Sequence, residues 1–175
     1  MAPSAEFRQG DEPAYLGRAR RLLVNMTPDE KADRIIKGLT ATGVAAGGVP
    51  VPLLIPFMAT VAGGVVAIGA SYGVRLSKED AWKLIREFFK AAGFVYTATF
   101  IGGAFITWIL AATGVGYPVA LALDAAQCAV IGYTVGTAAK HYFKGERSQS
   151  EMRKVVRGAM AEARASFSSK GAGRG

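Results

Sequence analysis

The chain has 175 residues, 51% of them apolar, and a formal net charge of +8. That length and apolar fraction suit one packed unit with no dividing linker, and they exclude a disordered chain. The positive balance comes without zinc-ligand spacing or an aromatic–basic RNA motif, so it does not define a nucleic-acid binder.

Taken in order, residues 1–13 carry Pro3, Gly10, Pro13 and mixed charges and read as a loose tail. A short helix follows over about 14–24, with Arg18, Arg20 and Arg21 on its surface. Only Leu22, Leu23 and Val24 separate those arginines from Asn25, too short a run for a signal-peptide core. Residues 1–27 thus form an N-terminal tail and short basic helix.

Thr27-Pro28-Asp29-Glu30 is a start signal: a capping hydroxyl, proline at the first helical position, and glutamate closing a capping box. The helix it opens is expected to run to about Gly48. Pro50 and Pro52 then force an extended elbow, and a second helix over about 53–74 returns. Ser77 caps a third helix over 78–92, in which Trp82, Ile85, Phe88 and Phe89 share one face. This third helix reads as interfacial; packing on a soluble core is the competing account of the same pattern. Residues 94–112 form one more apolar arm, 113–118 a turn, and the return arm reaches Phe143. A last helix over about 150–167 sets Met152, Val156 and Met160 opposite Arg153, Lys154, Arg157 and Arg164, before a Gly/Ser tail expected to be disordered.

Charge is confined to particular stretches. Residues 38–74 and 91–123 contain no charged side chain, and after Asp124 the next charge is Lys140. A soluble amphipathic helix keeps a polar stripe throughout, whereas about 20 apolar residues cross a bilayer. The expectation is therefore an all-α integral membrane protein. Two hydrophobic hairpins, 28–74 and 94–143, are joined by the interfacial helix 78–92 within a membrane domain of residues 28–145. Residues 146–175 add the amphipathic helix and tail. Every Lys and Arg lies up to Lys37, from Arg75 to Lys90, or from Lys140 on. The expected topology puts both termini on the cytoplasmic side of the inner membrane. The first hairpin either spans or re-enters.

Small residues four apart, Gly43/Gly47, Gly69/Gly73 and Gly132/Gly136, are candidate helix-packing positions, with internal hairpin packing favoured over oligomerisation for Gly43/Gly47. Asp124 is the one acid near an apolar block, and Gln127 lies one turn on. Asp124 is either an embedded polar group or a cap at the far surface. Cys128 is the only cysteine and His141 the only histidine, so neither a disulfide nor a metal site is expected. No nucleophile has a visible base partner, and the chain is read as a non-enzyme without a cofactor.

Several stretches together resemble a known family: Gly47-Gly48-Val49-Pro50-Val51-Pro52, Ala70-Ser71-Tyr72-Gly73-Val74-Arg75-Leu76-Ser77, and Ile131-Gly132-Tyr133-Thr134-Val135-Gly136 leading to His141-Tyr142-Phe143-Lys144-Gly145. They are similar to the YcjF-like membrane domain of unknown function, domain family 697, over roughly residues 38–165. That family carries an aspartate shortly after the elbow, where this chain has Leu54-Ile55-Pro56. The resemblance implies association with a separate Era-like GTPase.

Two readings of function follow. The first is a membrane scaffold or anchor whose basic helices recruit anionic lipid or a soluble partner, the GTPase among them. The second is a homo-oligomeric pore or holin-like protein, suggested by the small-residue stripes and basic tail.

Overall fold

A computed structural model describes residues 26–47, 54–93 and 117–172. Among them the chain is all-α, with no strand. The helices are α1 (Pro28–Gly47), α2 (Leu54–Ser71), α3 (Lys78–Ala92), α4 (Tyr117–Lys144) and α5 (Gln149–Ala172). The elbow at Pro50 and Pro52, the N-terminal tail and the arm over 94–112 lie outside the described residues.

Local chemistry sets the helix starts. The Thr27 amide donates to Glu30 Oε2 at 2.7 Å while the Glu30 amide donates to Thr27 Oγ1 at 3.3 Å, closing the capping box. Ser77 Oγ accepts from the Asp80 amide at 3.1 Å. Ser148 and Glu151 repeat the reciprocal box at the head of α5, each amide donating to the other's side chain at 3.2 Å. Glycine sets two of the stops. Gly73 (φ +76°) turns the chain after α2, where the Val74 amide donates to Gly69 O at 2.9 Å. Gly145 (φ +112°) ends α4, with the Glu146 amide donating to His141 O at 3.2 Å.

All five helices contribute to one core that includes Ile36, Val65, Ile85, Val135 and Val156. Val61, Val65, Ile68 and Ile85 are among its fully buried side chains, each worth about 1.5–3 kcal/mol on removal from water. The most extensive pairing is α1 against α4, which run antiparallel and step past each other turn by turn. Asp29 meets Lys144, Asp33 meets Lys140, a Cβ on Gly136 would touch Ile36, and one on Gly132 would lie 2.9 Å from Leu39 O. At Gly43 the backbones themselves meet: a Cβ there would lie 2.6 Å from the Ala129 nitrogen and the Cys128 carbonyl carbon. Only glycine permits that approach.

Several expectations change. The apolar face of α3 is turned into the protein: Ala81, Ile85 and Phe88 are buried in the common core. The packed account of that helix therefore describes its face better than the interfacial one; of the apolar set, Trp82 stays exposed. The expected disordered tail from Ser168 is still helical as far as Ala172, because a helix already formed propagates at one backbone bond per residue added. Among the described residues no helix is long and apolar enough to cross a membrane.

Candidate functional site

The α1–α4 register places ionic groups at one end of the bundle. Lys144 Nζ lies 2.5 Å from Asp29 Oδ2, and Lys140 Nζ lies 2.5 Å from Asp33 Oδ1. Tyr72, just past α2, donates its hydroxyl to Asp29 Oδ1 at 2.6 Å, so one carboxylate ties three helices together. The Lys144 ammonium, then the Tyr72 hydroxyl, holds the Asp29 carboxyl below its usual range, and Asp29 in turn raises Lys144. Burial, then the Asp29 bond, pushes the Tyr72 phenol up. His141 Nδ1 lies 2.8 Å from Glu146 Oε2, and Arg147 stacks over the Tyr142 ring at 5.1 Å. These groups form a collar around the end where α1 starts and α4 stops.

Away from the collar the exposed positions of α1, α2 and α4 lose their charge. On α1 they are Ala41, Thr42, Val44 and Ala45; on α2 Ala59, Thr60, Gly63 and Ala67; on α4 Ala122 and Leu123. Val44 and Leu123 are 45% and 43% exposed. The bundle is thus ionic at one end, while at the other the exposed positions of these three helices are uncharged and Asp124 of α4 is half-buried.

The helix α5 lies along the second half of α4. Its apolar stripe of Met152, Val156, Ala159, Met160 and Ala163 is buried. Met160 and Ala163 pack on Val130, and burial, then the nearby Glu162 carboxylate, pushes the Tyr133 phenol up. Arg153, Lys154, Arg157 and Arg164 are exposed and make this flank basic, with the Arg157 guanidinium reaching towards Gly93 at the end of α3. On α3 two of the positive charges are offset locally, Lys83 by Asp80 at 3.1 Å and Lys90 by Glu87 at 2.6 Å.

The remaining residues singled out from sequence fall in distinct places. Gly132 and Gly136 pack against α1, and a Cβ on Gly69 would press on Leu76 and Phe143. Gly73 has nothing within 4 Å of such a Cβ and serves the turn, not the packing. Asp124 lies inside α4, two turns after its start at Tyr117, so it does not cap that helix; it and Gln127 are half-buried. Gly43 carries the closest helix approach, and its four-residue spacing to Gly47 was the signal available in sequence. The pairing of Asp29 and Asp33 with α4 had no local signal. Among the described residues no group of His, Cys, Asp or Glu is placed to hold a metal.

Among the described residues these features define an all-α bundle with an ionic collar at one end and a basic helix along one flank. The chain belongs to the family described as Domain of unknown function (DUF697), which matches residues 14–165. No match was found among curated proteins or among solved structures.

Proposed function

We propose that the chain is a non-catalytic membrane anchor, inserted by its uncharged end from the cytoplasmic face, whose basic flank recruits a soluble partner. The observation that carries this reading is the polarity of the exposed surface: charged around Asp29, Asp33, Lys140 and Lys144, uncharged on α1, α2 and α4 beyond them.

Re-entrant insertion fits better than a full crossing by α4. The exposed cations of α5 accompany α4 down to the level of Val130 and Tyr133, and lipid does not replace water around Arg164 without cost. Residues 117–129 remain beyond that level, about 19 Å of helix, with the half-buried Asp124 as their one acid. One leaflet of a hydrocarbon core about 30 Å thick is comparable. The collar then meets the headgroups, where each Lys or Arg adds about 1 kcal/mol of attraction to anionic lipid. Lys140 and Lys144 are paired with Asp33 and Asp29, and on α5 the exposed Arg153 and Lys154 add positive charge that a partner can meet. The family resemblance makes an Era-like GTPase the partner class to test first.

The small-residue stripes favour an anchor over a pore. Gly43, Gly132 and Gly136 are occupied by contacts within the chain and are not presented to a second copy.

Cysteine accessibility in intact cells tests the reading, with Cys128 replaced by Ala. A cysteine introduced at Ser169 should be labelled only after permeabilisation, and one at Gly116 should stay unlabelled from outside. The protein should resist carbonate extraction, and reconstituted liposomes should retain their ions. Release by carbonate, or labelling of Gly116 from outside intact cells, rules out the re-entrant anchor; ion leakage favours the oligomeric pore.

A further inference from the structure

We infer that the outer edge of α3 lies at the lipid headgroups, with the Trp82 indole inserted there between the cations Lys78 and Arg86. This rests on the membrane anchor proposed above and assigns it a defined surface contact. The inner side of α3 is committed to the core, where Ala81, Ile85 and Phe88 are buried. Among the large apolar side chains of the helix Trp82 alone is exposed, at 37%. Lys78 and Arg86 stand four positions before and after it, one turn away along the same edge, and both are exposed. Arg86 Nε donates to Trp82 O at 3.4 Å, which keeps that side chain beside the Trp82 turn. Of the acids on α3, Asp80 and Glu87 are paired with Lys83 and Lys90, and Glu79 is the third. Exposed Arg75, just ahead of the helix, adds a further cation.

The height of α3 in the bundle follows from contacts at both of its ends. Near its end, the Phe88 and Tyr142 rings lie 6.1 Å apart, and Tyr142 sits on α4 between the collar lysines Lys140 and Lys144. Ahead of its start, Leu76 and Phe143 close on the same point of α2, since a Cβ on Gly69 would press on both. The helix therefore crosses the bundle at the level of the collar, which is the headgroup level of the anchor. A lipid surface suits this edge better than a protein. A specific protein interface takes about 800 Å² from each partner and keeps charge out of its centre. Here the exposed neighbours of Trp82 on the helix, Lys78, Glu79, Lys83 and Arg86, are all charged. The headgroup layer accepts that mixture: an indole apolar in body and polar at its N–H, beside long cationic side chains that lay their stems in the interface and their charge in water.

The chain has two tryptophans, so Trp108→Phe leaves Trp82 as the single emitter. The full chain carrying that substitution is reconstituted into phosphatidylcholine–phosphatidylglycerol vesicles whose acyl chains bear bromine either near the carbonyls or near the methyl end. Shallow bromines should quench Trp82 at least twofold more than deep ones, and adding Lys78→Glu and Arg86→Glu should cut the shallow quenching by at least half. If Trp108→Phe fails to fold, the difference in quenching between the wild type and Trp82→Phe gives the same readout. Quenching by neither bromine set, with Trp82 open to acrylamide in the water, overturns the proposal. So does stronger quenching by the deep set, which would put α3 inside the hydrocarbon, or shallow quenching that the charge reversal leaves unchanged. Flotation of the wild type with the vesicles while Trp82 stays unquenched overturns this contact alone; a wild type that does not float overturns the anchor as well.

Discussion

Lys144, in the last turn of α4, lies 2.5 Å from Asp29 in the first turn of α1, and the same carboxylate receives the Tyr72 hydroxyl at 2.6 Å. Asp29 therefore fastens the start of α1 to two other helices. Its depressed pKa makes that fastening pH-dependent. The contribution is complete above the unfolded carboxylate value of about 3.9 and is lost as pH falls through the lower folded value. Asp29→Asn should lower the melting temperature at pH 7 by no more than about 4 °C, as suits a solvent-screened pair. Melts followed by circular dichroism should show the deficit closing as the pH falls below about 4. A deficit independent of pH would show that the charge on Asp29 contributes nothing.

Gly43 and Gly38 offer a matched pair on one helix. A Cβ at Gly43 would meet α4 backbone atoms at 2.6 Å, while one at Gly38 would meet nothing within 4 Å. Gly43→Ala should force α1 and α4 apart and cost about 1–3 kcal/mol. Gly38→Ala should stabilise by about 0.4–1 kcal/mol through the lost freedom of the unfolded chain. Thermal or denaturant unfolding of both variants measures the contrast, and equal effects would contradict the close approach.

Thr134 is 5% exposed, and its hydroxyl lacks a hydrogen-bond partner. It faces a cavity of about 10 Å³ whose other lining residues are Phe88, Phe89, Ile131, Val135, Val156 and Met160. A space at the lower limit for one water, with a single polar side chain, stays dry. Thr134→Val should then raise stability by about 1 kcal/mol, because it removes an unpaired buried group. A loss of stability would reveal a hydrogen bond that the hydroxyl makes in solution.

Changing Arg153, Lys154, Arg157 and Arg164 together to Glu should abolish co-purification of a soluble partner while leaving the uncharged end inserted. All four side chains are exposed, and the helix should remain folded. Electrostatic attraction is screened over about 8 Å at physiological salt, so raising ionic strength should reproduce the effect in the unmodified protein. Partner recovery insensitive to both changes would remove α5 as the recruiting surface.

The helix starts were readable because their causes are local: Thr27 and Glu30, or Ser77 and Asp80, lie three residues apart. The apolar stripe of α3 was equally visible, but periodicity cannot say whether lipid or protein covers Ile85 and Phe88. Burial by the neighbouring helices decided that. The end of α5 was misjudged because Ser168 and its neighbours have a loop-like composition, whereas the helix is propagated from the turns before them. Gly73 shares the spacing of a packing glycine, yet its positive φ serves a turn. The collar was illegible for a simpler reason: nothing near Asp33 in sequence announces that Lys140 will meet it.

The same pairing has a temporal side. Asp33 and Lys140 are separated by 107 positions along the chain. At about 5–20 residues per second of translation, α1 leaves the ribosome roughly 5–20 seconds before α4 is complete. During that interval the glycine-rich half of α1, around Gly43, has no Cys128 or Ala129 backbone to close upon. The tightest helix junction is therefore among the last to form, and a nascent chain stalled before α4 displays an unmatched α1 to chaperones or to the bilayer.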